Sequence, residues 1–166
     1  MTHFRVPLAL VLVMVAVLLA AGCIGTLTGN GINEASLTGS DRQFVNASLT
    51  DYSTDILPFR YAMMQAMEDH NWERIKTNAE GMKNVSDTYG VLLSSNNYTV
   101  SPKLQKFQST VNKQISMDSC TADYWIRAAD MEEINDSARK DYYLRLAREC
   151  TQASNRAGQE ILLMIY

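Results

Sequence analysis

The sequence predicts an all-α protein: an antiparallel up-down four-helix bundle behind an N-terminal signal or anchor segment and a flexible tether. Three observations carry this. From residue 40 onward, apolar residues recur at spacings of three and four, and no strand-like alternation of any length occurs. Four such stripes have similar lengths and mostly short connections, which suits an up-down bundle. Cys120 and Cys150 fall at equal distances on either side of a turn near Asn135, which fits a helical hairpin. The chain divides into 1–22 (signal segment), 23–40 (lipid anchor and tether) and 41–166 (helical bundle domain).

The first element is a targeting segment. Met1 to Arg5 carries one firm positive charge, and Val6 to Ala21 is an unbroken apolar run. Small residues Ala20, Ala21 and Gly22 then precede Cys23. This order resembles the lipobox of prokaryotic lipoproteins, in which the cysteine is lipidated on sulfur and becomes the new N-terminus. The resemblance implies lipidation at Cys23 and an extracytoplasmic, lipid-anchored domain on the cell membrane. The alternative is an uncleaved anchor, for which the run is a little short of the ~20 residues a bilayer requires. Ile24 to Gly39 is rich in Gly, Thr, Asn and Ser, with no sustained period, and reads as a tether.

Ser40 with Gln43 matches a capping box and is expected to start the first helix. Val45, Leu49, Tyr52, Ile56, Phe59, Met63 and Met67 form its stripe. Pro58 lies inside it and should kink the helix or begin a new one. Asn71 is the expected N-cap of the second helix, whose stripe is Trp72, Ile75, Ala79, Met82, Tyr89 and Leu93, with Ser86 as a polar member. Ser94 to Pro102 is a loop, and Ser101 with Pro102 is a strong helix start. The third stripe is Leu104, Phe107, Val111, Ile115, Ala122, Trp125 and Ala129. A fourth helix starts near Asp136 or Ser137 and carries Tyr143, Ala147, Cys150, Ser154, Ala157, Ile161 and Met164. Small residues Ala147, Ser154, Ala157 and Gly158 allow it a close approach to its neighbours.

The three cysteines test this arrangement. If the third and fourth helices form a hairpin turning at Asn135, Cys120 and Cys150 sit at one height. One continuous helix would hold them ~45 Å apart. A disulfide requires Cα atoms within about 7 Å, so the hairpin permits the Cys120–Cys150 bond and an extracytoplasmic address favours it. Cys23 is then the odd cysteine. Four Asn-X-Ser/Thr sequons occur, at Asn46, Asn84, Asn97 and Asn135, and these are the glycosylation candidates. Asn97 lies in the long loop and Asn135 at the hairpin tip.

Little in the residue inventory performs chemistry. The formal charge is −3, and cleavage before Cys23 removes Arg5 and makes it −4. No basic stripe exists, so nucleic acid is not an expected partner. The mature chain would keep one histidine, His70. No Glu-x-x-His, Cys-x-x-Cys-His, nucleophile-elbow or phosphate-loop motif occurs. No enzyme, metal site or cofactor is expected. Met63, Met64 and Met67 are adaptable core filling more readily than a copper site. Of Tyr142-Tyr143 and Tyr124-Trp125, one of each pair should face the core and the other the rim.

The lipobox cysteine, the polar tether, an "EDHNWERIKTNAEGM" helix junction, a "VSPKL" helix start and a "YWIRAA" third-helix end together resemble small prokaryotic lipoproteins, particularly archaeal ones, with a compact helical domain. The resemblance implies location and fold and carries no activity. The expected function is a structural or protein-interaction module at the cell surface, with an envelope protein or peptide as partner. A small-molecule or metal receptor is the alternative, with an internal cavity lined by Met and Tyr and faced by His70 or Ser86.

Overall fold

A computed structural model describes Ile32, residues 37–94 and residues 98–165. The signal segment, Cys23 and the loop sequon Asn97 lie outside these residues.

The described residues form a four-helix bundle with no strand. Helix α1 runs from Gly39–Asn46 through a π turn, Ala47–Asp51, into Tyr52–Glu68. Helix α2 is Trp72–Ser94. A 3-10 turn, Pro102–Leu104, leads into α3, Gln105–Glu133, and α4 is Ser137–Ile165. Close backbone approaches run between consecutive helices, α1 to α2, α2 to α3 and α3 to α4. The chain therefore goes up, down, up and down. At 1.5 Å per residue, a 29-residue helix such as α3 spans about 43 Å.

The start of α1 differs from the sequence expectation. Its capping box is Thr38 with Asp41, not Ser40 with Gln43. The Thr38 hydroxyl accepts from the Asp41 amide at 3.1 Å, and Asp41 accepts from the Thr38 amide at 3.2 Å. Tertiary demands decide between the two boxes. Leu37 is buried in the core just ahead of the cap. The second Asp41 oxygen accepts the Ser101 amide at 2.9 Å, which ties the start of α1 to the start of the third helix. Gln43 is exposed and offers no such bond.

Pro58 neither breaks the helix nor starts a new one, since α1 continues across it. Pro58 and Thr54, whose carbonyl loses its usual donor, are both exposed. The irregularity lies earlier, at the π turn, where the Tyr52 amide donates to Ala47, five residues back. The wide turn inserts an extra residue and resets the buried face. Phe44, fully buried, is the core residue of the first segment, while Val45 and Leu49 are only partly covered.

Two joints at one end of the bundle share one design. Asn71 N–H bonds Ala66 at 2.9 Å and His70 N–H bonds Met67 at 3.2 Å. Asp136 N–H bonds Met131 at 2.9 Å and Asn135 N–H bonds Glu132 at 3.0 Å. Both are Schellman closures. The left-handed residues they require are His70 (φ 52°) and Asn135 (φ 58°). The following residue caps the next helix in each joint: Asn71 accepts the Arg74 amide at 2.9 Å and Asp136 the Arg139 amide at 3.0 Å. Asn71 thus caps α2 as the sequence predicts. The opposite end holds Leu37, the start of α3 and the end of α4. There the Ile32 amide donates to the Met164 carbonyl at 3.0 Å.

The core follows the predicted stripes. Ile75, Ala79, Met82 and Leu93 of α2 and Phe107, Val111, Ile115 and Ala122 of α3 are buried. Ala147, Ser154 and Ala157 are buried along α4 and admit α3 closely, as expected. Gly81 answers a specific need. A Cβ there would stand 2.2 Å from the Phe59 ring, which packs directly on the α2 backbone.

Candidate functional site

Asp118 sits on the buried face of α3 and is 2% exposed. A carboxylate there requires partners, and two other helices, α1 and α4, supply them. From α1, the Tyr52 hydroxyl donates at 2.6 Å and Arg60 forms an ion pair and hydrogen bond. From α4, Ser154 donates at 2.6 Å. The Tyr52 hydroxyl has one proton and spends it on Asp118, so Ser86 of α2 donates to Tyr52, at 3.3 Å. All four helices therefore meet in one hydrogen-bonded knot. Burial first, and the neighbouring Asp118 charge second, push the Tyr52 hydroxyl far above the ordinary tyrosine range. Burial disfavours the Arg60 charge, but Asp118 outweighs it and holds the guanidinium above its usual value.

The knot occupies the bundle interior, and its role is architectural. The sequence places Tyr52, Ser86 and Ser154 on buried faces and overlooks Asp118 and Arg60. Asp118 falls in the gap between Ile115 and Ala122, and that position in the stripe was the available signal.

The second constellation covers the flank near the two joints. Trp72 of α2 and Trp125 of α3 have ring centroids 6.4 Å apart. Lys140 lies 5.3 Å over Trp72 and pairs with Glu132. Lys76 pairs with Asp130 at 2.7 Å and with Glu133 at 3.0 Å, joining α2 to α3. Beside them runs a ladder across α3 and α4. Tyr124 stacks on Tyr143 at 6.2 Å, and Tyr143 meets Tyr142 edge-on at 5.5 Å. Arg127 covers Tyr143 at 6.0 Å and Arg145 covers Tyr142 at 5.4 Å, within cation–π range. Arg127 is also held by Asp123 at 2.8 Å. Tyr142 is 49% exposed and Tyr143 is partly covered by its ring neighbours without reaching the core; of Tyr124-Trp125, Trp125 packs on the core.

The other predicted residues are placed as follows. Cys120 and Cys150 face each other across α3 and α4 at disulfide distance, with Cα atoms 5.9 Å apart. Asn46, Asn84 and Asn135 are all exposed. The hydroxyl residues of the first two sequons have structural duties, however: Ser48 is buried and bonds the Val45 carbonyl, and Ser86 belongs to the knot. Asn135 lies on an exposed joint with no such duty for Ser137. His70 is exposed at its joint, and Ser86 bonds Tyr52. Tyr89 of α2 donates to Asp55 of α1 at 2.7 Å. A groove of about 510 Å³ lies between α2 and α3, open to solvent and lined by Ser94, Asn112, Ser116 and others. Among the described residues no three His, Cys, Asp or Glu side chains group as a metal would require, and no helix is long and apolar enough to cross a membrane.

No family model, curated protein or solved structure matches the chain.

Proposed function

We propose that this protein is a membrane-anchored, extracytoplasmic interaction module, held through lipid on Cys23 and presenting its far end to a partner. One observation carries the reading. The chain enters the bundle beside Met164, and the exposed aromatic and arginine ladder lies toward the opposite end. Tyrosine, tryptophan and arginine are the residue types that concentrate binding energy at protein interfaces. A rigid bundle about 43 Å long would hold them away from the anchored end. The residue pattern before Cys23 supports the anchor, and the level cysteines support an oxidising location. The partner this suits is an envelope protein or peptide.

The test has two arms. Cys23→Ser should move the protein from the membrane to the soluble fraction. A photo-crosslinking residue at position 142, in intact cells, should give one discrete adduct that Arg145→Ala abolishes. Adducts at 142 no different from those at exposed position 55 would refute the interaction surface.

A further inference from the structure

We propose that the tether-entry end of the bundle rests on an anionic bilayer surface, with the last turn of α4 as its apolar contact. This rests on the anchoring at Cys23 proposed above and adds an orientation to it.

Ile32 is bonded to the Met164 carbonyl, so the chain is fixed to the end of α4 at that point. Cys23 lies nine residues earlier, in a stretch rich in Gly and Thr. Nine residues extend to at most about 32 Å. A lipid on Cys23 therefore keeps the end of α4 close to the membrane. An uncleaved apolar run ending at Ala21 would do the same.

Ile161, Met164 and Ile165 turn inward and pack on the core. Leu163, between them, is 81% exposed. Val91, in the last turn of α2, is 71% exposed at the same end of the bundle. Both side chains would transfer favourably from water into an interfacial lipid layer.

Arg42 and Lys106 are exposed around this end. Among the described residues, Asp41 is buried and committed to the amides of Thr38 and Ser101, and Glu160 is an exposed carboxylate near the end of α4. Exposed cations around an apolar contact suit anionic headgroups.

The test uses the full chain in vesicles of phosphatidylglycerol and phosphatidylcholine, with an environment-sensitive fluorophore on Leu163→Cys and, separately, on Tyr142→Cys. Both positions are exposed, so neither substitution threatens the fold. Flotation reports anchoring. Aqueous iodide and lipid-borne doxyl groups then report what surrounds the label. The expected result is several-fold weaker iodide quenching at 163 than at 142, with doxyl quenching at 163 alone. Equal iodide quenching in floated vesicles would overturn the orientation while leaving the anchor standing. Protection at 163 without doxyl quenching would mean that a second protein chain covers Leu163, and would also overturn it. Failure to float would remove the anchor, and this proposal with it.

Discussion

Tyr52 of α1 donates its hydroxyl proton to Asp118 of α3 at 2.6 Å in the middle of the bundle. Ser86 and Ser154 complete the contact from the two remaining helices. Removing the carboxylate in Asp118→Ala strands Arg60 and two hydroxyls. Breaking a buried ionic group in this way costs about 3–5 kcal/mol. Tyr52→Phe removes one bond to a charge and should cost about 1–3 kcal/mol. Urea unfolding of both variants checks this, and a loss under 1 kcal/mol for Asp118→Ala would show that the knot contributes little.

The same contact sets an alkaline limit. The folded Tyr52 hydroxyl titrates far above its ordinary range, first through burial and then through the Asp118 charge. Below the unfolded tyrosine pKa of about 10, both states hold the proton. Above it, the unfolded chain releases the proton first, so stability falls as pH rises. Thermal melts between pH 9 and 11 should show this fall, and Tyr52→Phe should flatten part of it. An unchanged slope in that variant would contradict the assignment.

The acid limit runs the other way. Burial alone would raise the Asp41 carboxyl, but the Ser101 and Thr38 amides outweigh it and hold it below the usual carboxylate range. Stability should therefore be present above about pH 4 and fall as pH drops through the folded value. Thr38→Ala, which removes the cap, should cost about 1 kcal/mol. Ser40→Ala should cost almost nothing. Equal losses in the two variants would restore Ser40 as the cap.

Gly81→Ala pits helix propensity against packing. Alanine favours the helix by about 1 kcal/mol. Its methyl group would stand 2.2 Å from Phe59, and overpacking costs about 1–3 kcal/mol. Net destabilisation is expected, with relief when Phe59→Leu is added. A more stable single variant would show that the ring moves aside freely.

How legible the molecule is in its sequence depends on what fixes each feature. Ile75, Ala79 and Met82, or Phe107, Val111 and Ile115, lie on one helix at a fixed period, so local pattern suffices. Cys120 and Cys150 are level because a hairpin turn sets the register of its two arms. Asp118 is different. That it meets Tyr52, Arg60 and Ser154 depends on how three separate helices slide past one another, which no local period states. Phe44 was hidden for a related reason, since the π turn shifts the period that the stripe of α1 assumes. The choice between Thr38 and Ser40 turned on Leu37 and Ser101, one outside the helix and the other 60 residues away. The aromatic ladder was legible as pairs, Tyr142-Tyr143 and Tyr124-Trp125, while its arginine covers required the α3–α4 register.

The Cys120–Cys150 crosslink closes a loop of 30 residues. On the chain-entropy picture its removal by Cys120→Ala with Cys150→Ala should cost about 2–5 kcal/mol. A reductant should lower the melting temperature of the unaltered protein and leave the double variant unchanged. Equal sensitivity of both would place the reducible bond elsewhere.

The account holds that a disulfide-tied helical bundle is attached to a membrane through Cys23. Intact and peptide mass spectrometry of the protein extracted from its own membranes, without reduction, tests this most directly. The predicted result is an N-terminal peptide beginning at Cys23 and carrying a thioether-linked lipid, with Cys120 and Cys150 recovered in one crosslinked peptide pair. An N-terminal peptide beginning at Met1, or an unmodified Cys23, would contradict it.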